Sequence, residues 1–250
     1  MTTVSRRKAI VRSVRANRQL SVDELAGEMD VSVATIRRDL DDLSAKGLLR
    51  RVRGGAEAVE LDPSPFEEVA LIHADDKDAV ARRGAELVHD GDIVLLDIGT
   101  TVAQLANHLL GKRITLITSS LEVVRRVEDD PGIEVVVLGG LLRRTYHSLA
   151  GALTESALRQ LRADICFLST SGVHPSGRVL DNTGMELPIK QAMLSAADQI
   201  VLMADRGKFP GPGVMTVCEP DQITTLITNK GASEETLEVF RQAGTEVITI

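Results

Sequence analysis

SVDELAGEMDVSVATIRRDLDDLSAKGLLRRVRGGA, residues 21–56, decides how the N-terminal part of this chain folds. Ser21 followed by Glu24 fits the S-x-x-E capping box, in which each side chain satisfies a backbone N–H of the other residue. Val22, Leu25, Ala26 and Met29 recur at helical spacing and give a first helix one apolar face. Asp30-Val31 is expected to turn the chain, and Ser32 to cap a second helix. In that helix Val33, Ile36, Leu40 and Leu43 face inward, while Thr35, Arg37 and Arg38 face out. Gly47 is expected to end it. From Leu48 to Arg53 apolar and basic residues alternate before the Gly54-Gly55 turn, the pattern of a short basic ribbon. Helix, turn, helix and basic ribbon in that order describe a winged helix-turn-helix. A helix fits the DNA major groove with its N-terminal residues nearest the base edges. Ser32, Thr35, Arg37 and Arg38 are therefore the candidate readers, and Arg50, Arg51 and Arg53 of the wing the candidate phosphate contacts.

The net charge of −7 over 250 residues seems to oppose DNA binding until it is divided along the chain. Residues 1–60 hold 12 Lys+Arg against 9 Asp+Glu, whereas residues 61–250 hold 17 against 27. Arg6, Arg7, Lys8, Arg12, Arg15 and Arg18 stand in the first 20 residues with no acid among them. A basic head faces nucleic acid, and an acidic body is held away from its phosphates. Aromatic residues make up 2% of the chain, too few to form the stacking platforms of single-strand binders. The two cysteines, Cys166 and Cys218, have no metal-like or redox-like spacing. The five histidines show no H-x-x-x-H spacing and no obvious partner, so no metal and no cofactor is expected. No apolar run approaches the ~20 residues of a membrane span, and the basic N-terminus leads into an amphipathic helix rather than a signal-peptide core. A reducing cytoplasm is the expected compartment.

Residues 57–65, EAVELDPSP, separate the two charge regimes with two prolines and three acids and read as a linker. The expected organisation is therefore a DNA-binding domain over 1–56, a linker over 57–65, and an effector-binding and oligomerisation domain over 66–250. In the last, helices near 75–88, 101–110, 121–127, 154–161, 186–196 and 234–242 alternate with apolar runs. Those runs lie at 93–96, 114–118, 133–138, 165–168, 199–203, 226–228 and 247–250. Short strands, apolar on both faces and alternating with helices, predict a mostly parallel sheet covered on both sides. Ligands of such sheets bind beyond the carboxyl ends of the strands.

Three strand ends carry suitable groups. Asp97-Ile98-Gly99-Thr100-Thr101 opens a helix, so two hydroxyls and free amides can cradle an anion at its positive end. Thr118-Ser119-Ser120 opens another helix, and Gly139-Gly140 leaves room for a ligand. None of these is a G-x-G-x-x-G fingerprint or a P-loop. Glu186 and Lys190, four residues apart, reach one helix face, where a surface ion pair is the plain alternative. Lys208 follows another strand end and could pair a phosphate, with Asp205 accepting from hydroxyls.

With these motifs together the chain resembles the DeoR family of bacterial transcriptional regulators along nearly its whole length. The matching segments in the head are ELA, VSVATIRRDL and GGA. In the body they are DIGTT, the TSS strand end, the glycines at 139–140, Gly151, DICFLSTSG, GRVLDNTGMELPIK and ADRGKF. The resemblance implies an effector domain similar to the ribose-5-phosphate isomerase fold, sensing phosphorylated sugars or related intermediates. It also implies double-stranded operator DNA as a partner and a homo-oligomer, dimer or tetramer. Its candidate effector contacts are Asp97, Gly99, Thr100, Thr101, Ser119, Gly139, Gly140, Glu186, Lys190 and Lys208. The chain departs from the family pattern at Ser119, where an asparagine is common. It departs again at Arg206-Gly207, where two serines are common.

An isomerase carrying a DNA-binding head is the competing class. Proton-transfer catalysis needs a carboxylate beside the substrate C–H. Where isomerases of the similar fold carry an acidic D-G-A-D-E loop, this chain has Ser169-Thr170-Ser171-Gly172. Glu186 is the one base left, so no catalytic residue is assigned. A nonspecific architectural DNA binder leaves the acidic body unexplained.

Overall fold

A computed structural model describes residues 3–17, 19–45, 49–52, 54–57 and 66–250. The chain divides into two compact units, residues 1–64 and 65–250.

The first unit runs α1 (Thr3–Asn17), β1 (Gln19–Ser21), α2 (Val22–Met29), α3 (Val33–Ala45), β2 (Arg50–Val52) and β3 (Gly55–Glu57). Both halves of the capping box at the start of α2 form: the Ser21 N–H donates to Glu24 Oε2 at 2.7 Å and the Glu24 N–H to Ser21 Oγ at 3.2 Å. Asp30 ends α2 in the left-handed region at φ 50°, which redirects the chain into α3. Ile10, Val14, Leu25, Ile36, Leu40 and Leu49 form its buried centre. Val33, expected inside, is half-buried at the rim of this cluster. The wing has a third strand that the sequence did not suggest, because β1 pairs with β3 in the order β1-β3-β2. Glu57 belongs to β3 opposite Gln19 and Arg50, so the strand reaches one residue into the expected linker. The expected helix stop at Gly47, the wing residue Arg53 and linker residues 58–65 lie outside the described residues.

The second unit begins with α4 (Phe66–Leu71) and α5 (Ala74–Ala85). It continues through β4 (Ile93–Leu96), α6 (Thr100–His108), β5 (Ile114–Thr118), α7 (Leu121–Val127) and β6 (Ile133–Val137). A hairpin of β7 (Leu141–Arg143) and β8 (Ser148–Ala150) leads to α8 (Ala152–Leu158) and β9 (Ala163–Leu168). Then follow β10 (Gly172–Val173), β11 (Val179–Asp181), α9 (Leu187–Ala196), β12 (Ala197–Met203) and β13 (Met215–Cys218). The unit ends with β14 (Thr225–Thr228), α10 (Glu234–Gln242) and β15 (Glu246–Thr249). Seven strands form one sheet in the order β15-β14-β12-β9-β4-β5-β6, and every pair in it is parallel. The expected strands all form, within two residues of their predicted bounds. Alternate residues of each strand enter opposite cores: Val94, Leu96, Phe167 and Met203 pack under α5, α6 and α7, while Leu95, Cys166, Leu168 and Leu202 pack under α8, α9 and α10. Parallel strands buried on both faces explain the near-continuous apolar runs.

From β4 the chain leaves toward β5 through α6 on one face, whereas from β9 it leaves toward β12 through α9 on the other. The loops after these neighbouring strands therefore diverge and open a crevice between them, the switch point at which open α/β sheets take ligands.

In the first unit, Asp39 on α3 is 2% exposed and accepts from Arg6 Nε and Arg7 Nε of α1, each at 2.7 Å. Burial opposes its ionisation, but the two arginines prevail and hold its carboxyl below the usual range. A carboxyl depressed on folding contributes stability that is complete above its unfolded pKa and fades as pH falls through its lower folded one. Asp39→Ala is therefore expected to cost about 1–2 kcal/mol at neutral pH, discounted because the arginines are partly solvated. Calorimetry of the whole chain should show the difference from wild type shrinking below pH 4; a difference independent of pH would refute this role for the pair.

Candidate functional site

Two regions gather the residues singled out by the sequence, one in each unit. In the first, α3 starts at Ser32, whose Oγ accepts from the Thr35 N–H at 3.3 Å and lies 2.9 Å from Thr35 Oγ1. These two hydroxyls thus form the helix cap as well as its leading edge. Arg37 and Arg38 are exposed and make no hydrogen bond or ion pair among the described residues. The other basic residues are not equivalent to them. Arg6 and Arg7 hold α1 onto α3, so these members of the basic N-terminal run are cross-links rather than free cations. Arg51 lies 3.1 Å from Asp41 and donates from its guanidinium to Gly55 O at 3.0 Å, which ties the wing to α3. Arg50 forms part of β2.

At the crevice of the second unit a buried charge cluster joins both strand ends. Asp97, 1% exposed at the end of β4, accepts from the Ser169 N–H at 2.9 Å, from Ser169 Oγ and from Lys190 Nζ. Lys190, 2% exposed on α9, also donates to Ser169 O at 2.9 Å and Ser169 Oγ at 3.2 Å, and Asp181 Oδ2 lies 3.7 Å away. Burial pushes the Asp97 carboxyl up, but the adjacent ammonium and hydroxyl outweigh it and leave the carboxyl below its usual range. Burial likewise opposes the charge on Lys190, and Asp97 and Asp181 overcome it, so the ammonium is held above its usual range. Gly99 is what allows this approach, since a Cβ there would overlap Ser169.

The i, i+4 surface pair, the plain alternative for Glu186 and Lys190, does not form, because both are buried and each has another partner. Glu186 Oε1 accepts from Arg143 of β7, while Glu186 Oε2 is buried with no partner among the described residues. Burial raises the Glu186 carboxyl above its usual range despite Arg143. Lys190 spends its donors on Asp97 and Ser169, which leaves Lys208 as the cation of the set with donors to spare. Lys208 is half-buried and reaches Ser171 O at 3.4 Å.

Thr100 and Thr101 open α6 at 6% and 5% exposure, and their hydroxyls make no hydrogen bond among the described residues. Their helix has no side-chain cap, so its first amides stay available. At the next strand end Thr118 Oγ1 donates to Leu96 O at 2.9 Å and Ser120 Oγ accepts from the Val123 N–H at 3.2 Å, which leaves Ser119 as the uncommitted hydroxyl. Gly139 is open, but the space beside Gly140 is filled by Thr154 and by Ala150 O, so close packing rather than room for a ligand explains that glycine. Arg206 is half-exposed and paired with Asp76 at 3.1 Å, away from Lys208's role.

Sequence reasoning missed Ser169 and Asp181 as the partners of Lys190, and missed Arg143 and Tyr146. The one available signal was Tyr146, the chain's single tyrosine. It also missed that His108 lies 2.8 Å from Asp78 and His147 2.6 Å from Glu122. No group of three or more potential metal ligands occurs among the described residues. Cys166 and Cys218 are buried, and burial pushes the Cys218 thiol up to about 12, away from reactive thiolate.

A helix-turn-helix head with free arginines and a separate body with a polar crevice define a ligand-responsive DNA-binding regulator. The sequence matches the model of the DeoR C terminal sensor domain over residues 72–230 and that of the DeoR-like helix-turn-helix domain over residues 6–61. The chain belongs to the DeoR family of transcriptional regulators. It is 28% identical over 250 residues to the HTH-type transcriptional regulator GolR of Listeria innocua, covering 99% of this chain and 98% of that one. It is 32% identical over 213 residues to the HTH-type transcriptional repressor CsqR of Escherichia coli, covering 84% and 82%. To the glycerol-3-phosphate regulon repressor of Haemophilus influenzae it is 30% identical over 225 residues, covering 89% and 88%. Among solved structures, ribose 5-phosphate isomerase A from Methanocaldococcus jannaschii aligns over 54% of each chain at 19% identity and a TM-score of 0.40, and no residue correspondence is taken from it. The family consists of regulators, which removes the isomerase alternative.

Breaking one side of the central pair leaves a buried charge poorly compensated. Asp97→Asn should therefore destabilise the body by about 3 kcal/mol. Lys190→Met added to it should recover more than ~1 kcal/mol relative to the sum of the single losses. Urea unfolding of the four proteins measures this coupling; simple additivity would show that the two side chains do not act together.

Proposed function

We infer that the protein is a cytoplasmic repressor of carbohydrate-metabolism genes that leaves operator DNA when a phosphorylated sugar or related metabolite binds its body. The observation that carries the reading is the start of α6, which follows β4 at the switch point with no side-chain cap and with the Thr100 and Thr101 hydroxyls unbonded among the described residues. A helix N-terminus with free donors suits a phosphate. Lys208 supplies a nearby positive charge, Ser119 and Glu186 Oε2 supply polar partners for hydroxyls, and Asp97, Gly99 and Lys190 shape the wall. Relatives named for the glycerol-3-phosphate regulon and the aga operon support a carbohydrate-linked role. No helix among the described residues is long and apolar enough to cross a membrane. A single head spans few base pairs, so the body is proposed to assemble as a dimer or tetramer that presents two heads to paired half-sites. A monomer by light scattering, free and on DNA, would contradict that assembly.

In the head, Ser32 and Thr35 set the leading edge while Arg37 and Arg38 diverge by roughly 100° around α3. One arginine therefore reads a base and the other a phosphate, with Arg50, Arg51 and Arg53 on the flanking backbone. On operator DNA selected from a random pool, alanine at the base reader is expected to cost ~1–3 kcal/mol and to relax preference at one position. Alanine at the phosphate partner weakens all sequences alike. Wild-type affinity in both variants would place the recognition surface elsewhere.

The effector reading is tested by thermal shift with ribose 5-phosphate, fructose 6-phosphate and glycerol 3-phosphate. Binding at a hundredfold excess over Kd should stabilise the body by about 2.7 kcal/mol. Thr100→Asp is expected to abolish that shift by charge repulsion and to keep operator affinity within twofold of wild type, so that repression persists with the ligand present. Release of Thr100→Asp at the wild-type ligand concentration would mean the phosphate binds elsewhere.

A further inference from the structure

We propose that Arg143 and Tyr146 couple the sensor crevice to the segment joining the two units, so that a ligand at Glu186 is felt at Phe66. The proposal rests on reading the crevice as the effector site. At its pocket end stands Glu186, 2% exposed, with Oε1 held by the Arg143 guanidinium and Oε2 buried without a partner among the described residues. A buried carboxylate oxygen left unmet is costly, and a donor such as a ligand hydroxyl is what completes it. Arg143 in turn lies over the Tyr146 ring, its guanidinium carbon 5.6 Å from the centroid. Tyr146 meets Phe66 edge to face at 5.6 Å and 81°. Phe66 is 3% exposed and is the first described residue after 58–65.

The far end is clamped from several sides. The Phe66 N–H donates to Thr145 O at 3.0 Å, and His147 stacks on the Phe66 ring at 6.4 Å and 25°. His147 is fixed by Glu122 at 2.6 Å and lies 3.5 Å from Glu67. Thus residues 145–147 of the β7–β8 hairpin carry the beginning of α4, while Arg143 of the same hairpin answers to Glu186 on the opposite side. Tyr146 also lies within the electrostatic reach of Lys190, Asp97 and Asp181, and its burial pushes the phenol up to about 12. A hydroxyl that donates to Glu186 Oε2 draws carboxylate charge away from Oε1 and so loosens the hold on Arg143. Arg143 then resettles over Tyr146, and the Tyr146–Phe66 contact repacks with it. Packed rings and a single ion pair have discrete arrangements rather than a continuum, which is what a switch requires.

The chain itself provides the probe, because it contains one tyrosine and no tryptophan, so its tyrosine emission reports Tyr146 alone. Full-length wild type, Arg143→Met, Tyr146→Ala and Tyr146→Phe are titrated onto selected operator DNA without ligand and with ribose 5-phosphate, fructose 6-phosphate or glycerol 3-phosphate. Without ligand, Arg143→Met and Tyr146→Ala should weaken operator binding at least threefold, while Tyr146→Phe, which keeps the ring, matches wild type. A sugar phosphate that shifts wild-type melting should still shift both weakened variants and change their operator affinity less than twofold. The same ligand should alter wild-type tyrosine emission. Wild-type operator titrations in Arg143→Met and Tyr146→Ala, free of ligand, would overturn the coupling. A lost melting shift in Arg143→Met would also overturn it, by making Arg143 a ligand contact. If none of the three phosphates binds wild type, the effector reading fails while the ligand-free comparison still decides the coupling. Should Tyr146→Ala not fold, Tyr146→Leu replaces it.

Discussion

The body of the protein is organised around one buried ion pair. Asp97 ends the central strand β4, Ser169 ends its neighbour β9, and Lys190 comes from α9 on the face to which the β9 loop departs. An isolated charge in such a place would cost several kcal/mol, and only a complete set of partners makes its burial tolerable. The set is complete: carboxylate, carbonyl and hydroxyl meet the ammonium, while amide, hydroxyl and ammonium meet the carboxylate. This closure fixes how far apart the two loops stand where they diverge, and therefore the width of the crevice. Gly99 is a consequence of the same constraint, since the β4 loop must pass against Ser169.

The parallel sheet and most of its helices were legible because its inner strands centre on short apolar runs buried on both faces, bounded by helices with their own period. What escaped notice were elements whose reason lies elsewhere in the chain. The β7–β8 hairpin carries exposed Leu141 and Leu142, so it lacks the alternation that marks a strand. Of the short strands, β10 and β11 form a tight hairpin, and β13 joins it only from far along the chain, Val179 opposite Cys218, which no local pattern announces. The same holds for the site. Asp97, Thr100, Thr101 and Ser119 sit at strand ends and could be named from position alone. That Lys190 answers to Asp97 rather than to Glu186 depends on a rotation of α9 that spacing does not specify.

Charge tells a similar story in the head. Counting arginines identifies a basic unit, but only their partners sort them into cross-links and free cations. Arg6, Arg7 and Arg51 are held by Asp39, Asp41 and Asp42, all on α3, whose outward face presents Arg37 and Arg38 without an ion pair among the described residues. The acids of the RRDLDD run thus serve to dock α1 and the wing on the helix rather than to dilute its positive surface. A sequence that spends three carboxylates to orient one helix is specifying a surface as well as a fold.

The same logic explains why the crevice suits sensing. Asp97 accepts three hydrogen bonds on Oδ2 and is held ionised below its usual range, which makes it a poor acceptor of a substrate proton, unlike a general base. Glu186 differs in one respect, an oxygen that no donor meets among the described residues. Leaving such an oxygen buried costs ~1–3 kcal/mol, which a ligand hydroxyl can recover. A ligand moves an equilibrium only by its differential affinity for two states, and a shift from 1:99 to 99:1 needs about 5.5 kcal/mol. One hydroxyl is therefore insufficient. On the proposed reading, a phosphate at the start of α6 adds its share, or two bodies switch together, and the number of linked sites then sets how sharply the protein responds.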